Sequence, residues 1–182
     1  MPRYLAFLRG INLGRRRLKM ERLCELFVEL GCTGVETFIA SGNVIFDDRA
    51  RDPLKLAVKI EKHLAARLGY DVDTFVRTHA EVAALAALRP FARADMEAPE
   101  NTVHIGFFGA PLPVAQARSL AAMRTATDEF HVTGREYFWL CRGIKSHESK
   151  VWASPALRAL KLPSSSMRNL KTIRKLAELY PG

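Results

Sequence analysis

The chain has 182 residues, 48% of them hydrophobic, which is enough to bury a core as one domain or as two small packed units and argues against disorder. Against 19 Asp and Glu stand 28 Lys and Arg, a formal net charge of +9. That balance favours phosphorylated ligands, nucleic acid or anionic surfaces as partners, although a basic surface can also serve solubility alone.

The first strand is expected over Arg3–Arg9, where Tyr4 and Phe7 favour extended structure and Gly10 closes it. A helix follows from about Lys19 to Leu30: Met20, Leu23, Phe27 and Leu30 recur at helical spacing, and Gly31 stands where a C-terminal cap belongs. The stretch VETFIASGNVIFDD is two apolar runs broken by Ser-Gly-Asn, which predicts a hairpin or a sharply bent strand pair around Gly42. Asp52 and Pro53 fit the cap and first turn of a second helix, in which Ala57, Ile60, Leu64 and Leu68 share a face before Gly69 ends it. DVDTFVRT then alternates as a strand. The order β-α-β-β-α-β is the split βαβ plan of a ferredoxin-like sandwich and accounts for residues 1–78.

The second half, residues 79–182, restarts in a looser form with extra C-terminal helices. A helix over Ala80–Leu88 leads through the loop Arg89–Asn101, the expected boundary region, to the strand TVHIGFFG. A helix over Val114–Arg124 precedes the hairpin EFHVTGREYFWLCRG, which turns at Thr133-Gly134. Beyond the polar loop IKSHESK come a short helix around Pro155–Leu160 and a last one from about Asn169 to Tyr180, with Ser164–Ser166 placed to cap it. The fold class is therefore α+β, two small units in series.

The three cysteines, Cys24, Cys32 and Cys141, have no C-x-x-C spacing, so neither a disulfide framework nor a zinc knuckle is expected. Tyr4–Leu8 is too short for a secretory leader, and no apolar window reaches the roughly 18 residues of a membrane span. A cytoplasmic chain without membrane attachment is the expectation.

Two loops invite a ligand. After the first strand, Gly10 and Gly14 let backbone N–H groups approach an anion, Asn12 offers an amide, and Arg9 with Arg15, Arg16 and Arg17 supplies charge near a helix start. The loop is neither a Walker loop nor a dinucleotide fingerprint, and the plain alternative is a turn with solvated arginines. Ser41, Gly42 and Asn43 point at the same ligand or simply satisfy their own turn. Near the C-terminus Arg168 and Lys171 stand at the start of the last helix, where cations oppose the helix dipole unless an anion offsets them.

Conventional catalytic sets and metal loops are missing; His147 and Ser149 lie together in sequence but do not make a triad. His104 and His131 are expected to pack on strands, and Cys141 to serve as a small hydrophobe. SGNVIFDD does not match the base-stacking signature of RNA-recognition modules, and its two aspartates would repel a phosphate backbone.

Leu-Arg-Gly-Ile-Asn-x-Gly from Leu8, Ser-Gly-Asn-x-x-Phe from Ser41, the pair Ser149-Lys150 and Arg-Asn-x-x-Thr-x-x-Lys-Leu from Arg168 together resemble the bacterial family called domain of unknown function 1697. The resemblance spans essentially the whole chain. It implies two ferredoxin-like (α-β plait) subdomains and supplies neither an activity nor a cofactor. The family's recurring polar positions correspond to Arg9, Gly10, Asn12, Gly14, Ser41, Gly42, Asn43, Lys150, Arg168 and Asn169. Two departures stand out: Arg15–Arg17 replace a second glycine and an asparagine, and Ser166-Met167 replace a threonine pair before Arg168.

Three functional readings follow. In the first, loops from both subdomains converge on an anionic small molecule or nucleic acid, with Arg9, Lys150 and Arg168 giving charge and Asn12, Asn43 and Asn169 orientation. In the second, the protein is an enzyme on a phosphorylated small molecule, with Ser41 or His147 in proton or group transfer. In the third, these polar groups only pin the subdomains together.

Overall fold

The computed structural model describes residues 1–12, 17–39 and 42–181. The first six elements are β1 (Arg3–Leu8), α1 (Met20–Glu29), β2 (Thr33–Thr37), β3 (Asn43–Asp47), α2 (Pro53–Leu68) and β4 (Thr74–Thr78). They form an antiparallel sheet in the order β2-β3-β1-β4, the ferredoxin-like arrangement. Tyr4, Ala6 and Leu8 of the central strand meet Leu23, Leu26 and Phe27 of α1 and Leu56, Ile60 and Leu64 of α2 in one buried cluster. Phe27 and Phe46 meet edge-on at 5.1 Å.

The helix signals act as the sequence indicates. Asp52 accepts the N–H groups of Leu54 and Lys55, Pro53 opens the first turn, and Gly69 closes α2 at φ +76°. Gly31 follows α1 at φ +89°. β4 starts three residues later than the apolar alternation suggests, because its partner β1 ends at Leu8, opposite Thr74.

The later elements are α3 (His79–Ala87), α4 (Arg93–Glu97), β5 (Thr102–Phe107), α5 (Val114–Ala121), β6 (Asp128–Thr133), β7 (Glu136–Cys141), α6 (Pro155–Ala159), β8 (Ser166–Asn169) and α7 (Leu170–Leu179), with short 3₁₀ turns at Ser146–Glu148 and Val151–Ala153. Their sheet, β6-β7-β5-β8, is also antiparallel and repeats the first order strand for strand. Its helix-side core is aromatic, built on Phe108, Phe130, Tyr137 and Trp139 with Trp152 against them. Gly106 makes room: a Cβ there would stand 1.9 Å from Cζ of Tyr137.

Two elements differ from the sequence expectation. The segment read as the loop Arg89–Asn101 contains α4, which Arg142 holds through paired bonds of 2.9 and 2.8 Å to Asp95. Ser166 does not cap the last helix but opens β8, whose residues pair with β5, Arg168 opposite Ile105. The chain divides into two compact units: Met1–Ala86 with Arg174–Gly182, and Ala87–Ile173. No helix among the described residues is long and apolar enough to cross a membrane.

Candidate functional site

In the first unit, Arg9, Gly10, Gly42 and Asn43 come together at one end of the sheet. The Leu8 N–H donates to the Gly42 carbonyl at 2.8 Å, and Phe7 lies opposite Asn43 in register. Gly10 and Gly42 have φ of +74° and +73°. The left-handed φ favours glycine at 42, and a Cβ there would be tight as well, 3.1 Å from Cδ1 of Ile11 and 3.2 Å from Cβ of Leu8. Arg9 is anchored through its backbone N–H to Asp73, while its side chain, 54% exposed, reaches the Asp73 carboxylate at 3.3 Å. An exposed pair of this kind is worth about 0–1 kcal/mol.

The amides near this end make local bonds. Asn12 Oδ1 accepts the Leu18 N–H at 2.8 Å, closing the approach to α1. Asn43 is buried, and its Nδ2 donates to the Phe38 carbonyl at 3.1 Å, while the Phe38 N–H returns a bond to the Asn43 carbonyl. Gly14 and Ser41 lie outside the described residues, as do Arg15 and Arg16.

A cavity of about 340 Å³ adjoins Asp73, lined by Glu61, Lys62, Asp71 and Asp73 among others. Burial, with Asp73 and Asp71 close by, raises the Glu61 pKa. Three carboxylates against one ammonium make this cavity unfavourable for phosphate.

In the second unit, Arg168 lies on β8, just ahead of the N-terminus of α7. Nη1 donates to Ser166 Oγ at 2.8 Å and to the Met167 carbonyl at 2.9 Å. Burial pushes the guanidinium pKa down to about 10, which still leaves it charged at neutral pH. Asn169 accepts the Lys171 N–H at 2.8 Å, a local cap at the head of α7. Lys150 is exposed between the two 3₁₀ turns.

Sequence reasoning missed Asp128. Its carboxylate is 2% exposed and accepts bonds from Thr125 Oγ1 at 2.8 Å, Thr127 Oγ1 at 2.7 Å, Trp139 Nε1 at 2.9 Å and Ser149 Oγ at 2.7 Å. Burial raises its pKa, but these hydroxyl and indole donors outweigh it, and the net shift is downward. The only signal in the chain is the hydroxyl-rich Thr-Ala-Thr-Asp at residues 125–128, which reads as an ordinary turn.

His104 stacks on Trp139 at 5.1 Å and burial lowers its pKa, as expected of a packed histidine. Glu148, beside His147, bonds the Lys145 N–H at 2.8 Å. Cys141 is buried, and burial raises its pKa. Among the described residues, no three His, Cys, Asp or Glu side chains are grouped to hold a metal ion.

The solved structure described as conserved bacterial protein SP0830 from Streptococcus pneumoniae is similar along the whole chain, with 20% identity, a TM-score of 0.76, and coverage of 100% of this chain and 99% of that one. At that identity the likeness speaks for the fold. No curated protein matches significantly. The sequence profile described as "Protein of unknown function (DUF1697)" matches residues 1–138, more than half of the sequence, and the chain belongs to that family.

Proposed function

We propose that this protein binds an anionic, phosphate-bearing ligand, a nucleotide or a nucleic-acid backbone. The observation that supports it most is the strand-end cluster of the first unit, where two left-handed glycines free the backbone for close approach beside a half-exposed Arg9. The wider set in that unit is Asn12, Gly14, Ser41 and Asn43 from the same loops; Lys150, Arg168 and Asn169 are a separate set in the second unit. A chain with formal charge +9 would also draw such a ligand in by long-range attraction.

Isothermal titration with pyrophosphate, ATP and short RNA and DNA, at low and moderate salt, tests this reading. Arg9→Ala should weaken binding about tenfold, as loss of a charged hydrogen bond does. Affinity that collapses with salt for the oligonucleotides selects the nucleic-acid arm, whereas affinity retained for ATP selects the nucleotide. Absence of binding to every probe removes the proposal.

A purely local structural role for the amides has its own support. Asn12, Asn43 and Asn169 each bond backbone only a few residues away, which is turn and cap chemistry and not the pinning of one subdomain to the other. If these residues are structural only, Asn43→Ala lowers the melting temperature and leaves Arg9-dependent binding intact.

A further inference from the structure

We infer that Lys150 is a preorganised anion contact and that Asp128 is its positioning residue, an assignment that rests on the anion-binding reading above. The backbone on both sides of Lys150 is clamped. On the N-terminal side Ser149 Oγ donates to the buried Asp128 carboxylate at 2.7 Å and accepts the Val151 N–H at 3.2 Å. On the C-terminal side Val151 is 5% exposed, and Trp152 packs against Phe130, Tyr137 and Trp139 with ring centroids 5.5, 5.7 and 5.4 Å away. The Lys150 carbonyl accepts the Ala153 N–H at 3.1 Å, closing the 3₁₀ turn. Lys150 itself has φ −92° and ψ 0°, the sparsely populated bridge region, with its side chain exposed.

An exposed lysine on a mobile loop is usually a solvated charge. Here the chain fixes the Cα and Cβ of such a lysine with a buried carboxylate, an indole and a tryptophan packed in the core. Asp128 is held by Thr125, Thr127 and Trp139 independently of Ser149, so it acts as a fixed post to which the turn is tied. A lysine whose backbone is already fixed has only its side-chain rotamers left to order on meeting a phosphate oxygen, so less freedom is lost in the contact.

Pyrophosphate titration of the full chain at constant ionic strength, with thermal melts of each variant, provides the test. Lys150→Ala should lower affinity about tenfold and Ser149→Ala about fivefold, the latter with little change in melting temperature. Ser149→Thr, which keeps the hydroxyl, should restore binding, and the double variant should bind no worse than Lys150→Ala, because Ser149 acts through the lysine. Asp128→Ala, which removes the acceptor for Ser149, should match Ser149→Ala in affinity if it folds; the serine variants decide the matter if it does not. Wild-type binding that Lys150→Ala leaves unchanged, or losses at Ser149 and Lys150 that simply add, overturn the inference while Arg9-dependent binding stands. If the wild type does not bind pyrophosphate, this inference fails, while the anion reading stands or falls on ATP and the oligonucleotides.

Discussion

A single methyl group on Gly106 would collide with the ring of Tyr137, whose hydroxyl lies 3.2 Å from Ser165 Oγ. The tyrosine packs among Phe108, Phe130 and Trp152, so it has no free direction in which to retreat. Gly106→Ala should therefore cost about 3 kcal/mol, near the upper end for overpacking, measured as a shift in the urea midpoint. His104 gives a second test at this scale. Burial holds its imidazole neutral in the folded protein, whereas the unfolded chain takes a proton near pH 6.5, so the unfolded state binds more protons below that value. Its contribution is fully present above about pH 6.5 and is lost as pH falls toward its lowered folded pKa. Denaturant midpoints at pH 7.5 and 5 should drop more for the wild type than for His104→Phe. Cys32 is inert by the same logic: burial and the neighbouring Asp48 carboxylate push its thiol up to about 12, and it should resist alkylation in the folded state.

Elements that end on strong local chemistry were legible in the sequence. Asp52-Pro53 and Gly69 bracket α2, Gly31 follows α1, and Thr133-Gly134 turns the second hairpin, because each signal acts within three or four residues. β8 was not legible, since Ser-Met-Arg-Asn carries no apolar alternation and becomes a strand only through its pairing with β5. The five-residue α4 likewise owes its place to a residue far along the chain: Arg142 grips Asp95 and also Glu129, while the nearby Asn101 bonds the Asp95 carbonyl at 3.0 Å. Arg142→Ala should raise amide exchange across residues 93–97 about tenfold while β7 keeps its protection, a pattern read by hydrogen–deuterium exchange. The candidate site shows the same division. Glycines at turns announce themselves, but a carboxylate fed by Thr125, Thr127, Trp139 and Ser149 is assembled by the fold.

At the scale of the molecule, the second unit is continuous from Ala87 to Ile173, whereas the first is made of Met1–Ala86 and Arg174–Gly182. Specific bonds join the two pieces of the first unit. Arg174 Nε donates to the Ala86 carbonyl at 3.4 Å, Arg3 Nη1 to the Pro181 carbonyl at 3.2 Å, and Phe38 meets Tyr180 edge-on at 6.4 Å. Removing residues 174–182 should lower amide protection across β1–β3 several-fold while leaving β5–β7 protected, in line with the local character of opening reactions. Equal loss in both sheets would mean that the two units unfold as one.

The divided first unit also sets an order of events on the ribosome. Its β-α-β-β-α-β segment emerges early, yet the residues that complete it leave the exit tunnel only after all of Ala87–Ile173 has been made. The part of the protein synthesised first is thus the part finished last. Until then Arg3 and Phe38, the groups that await Pro181 and Tyr180, stay uncovered, and an open surface of that kind is where a chain still being made is prone to associate wrongly.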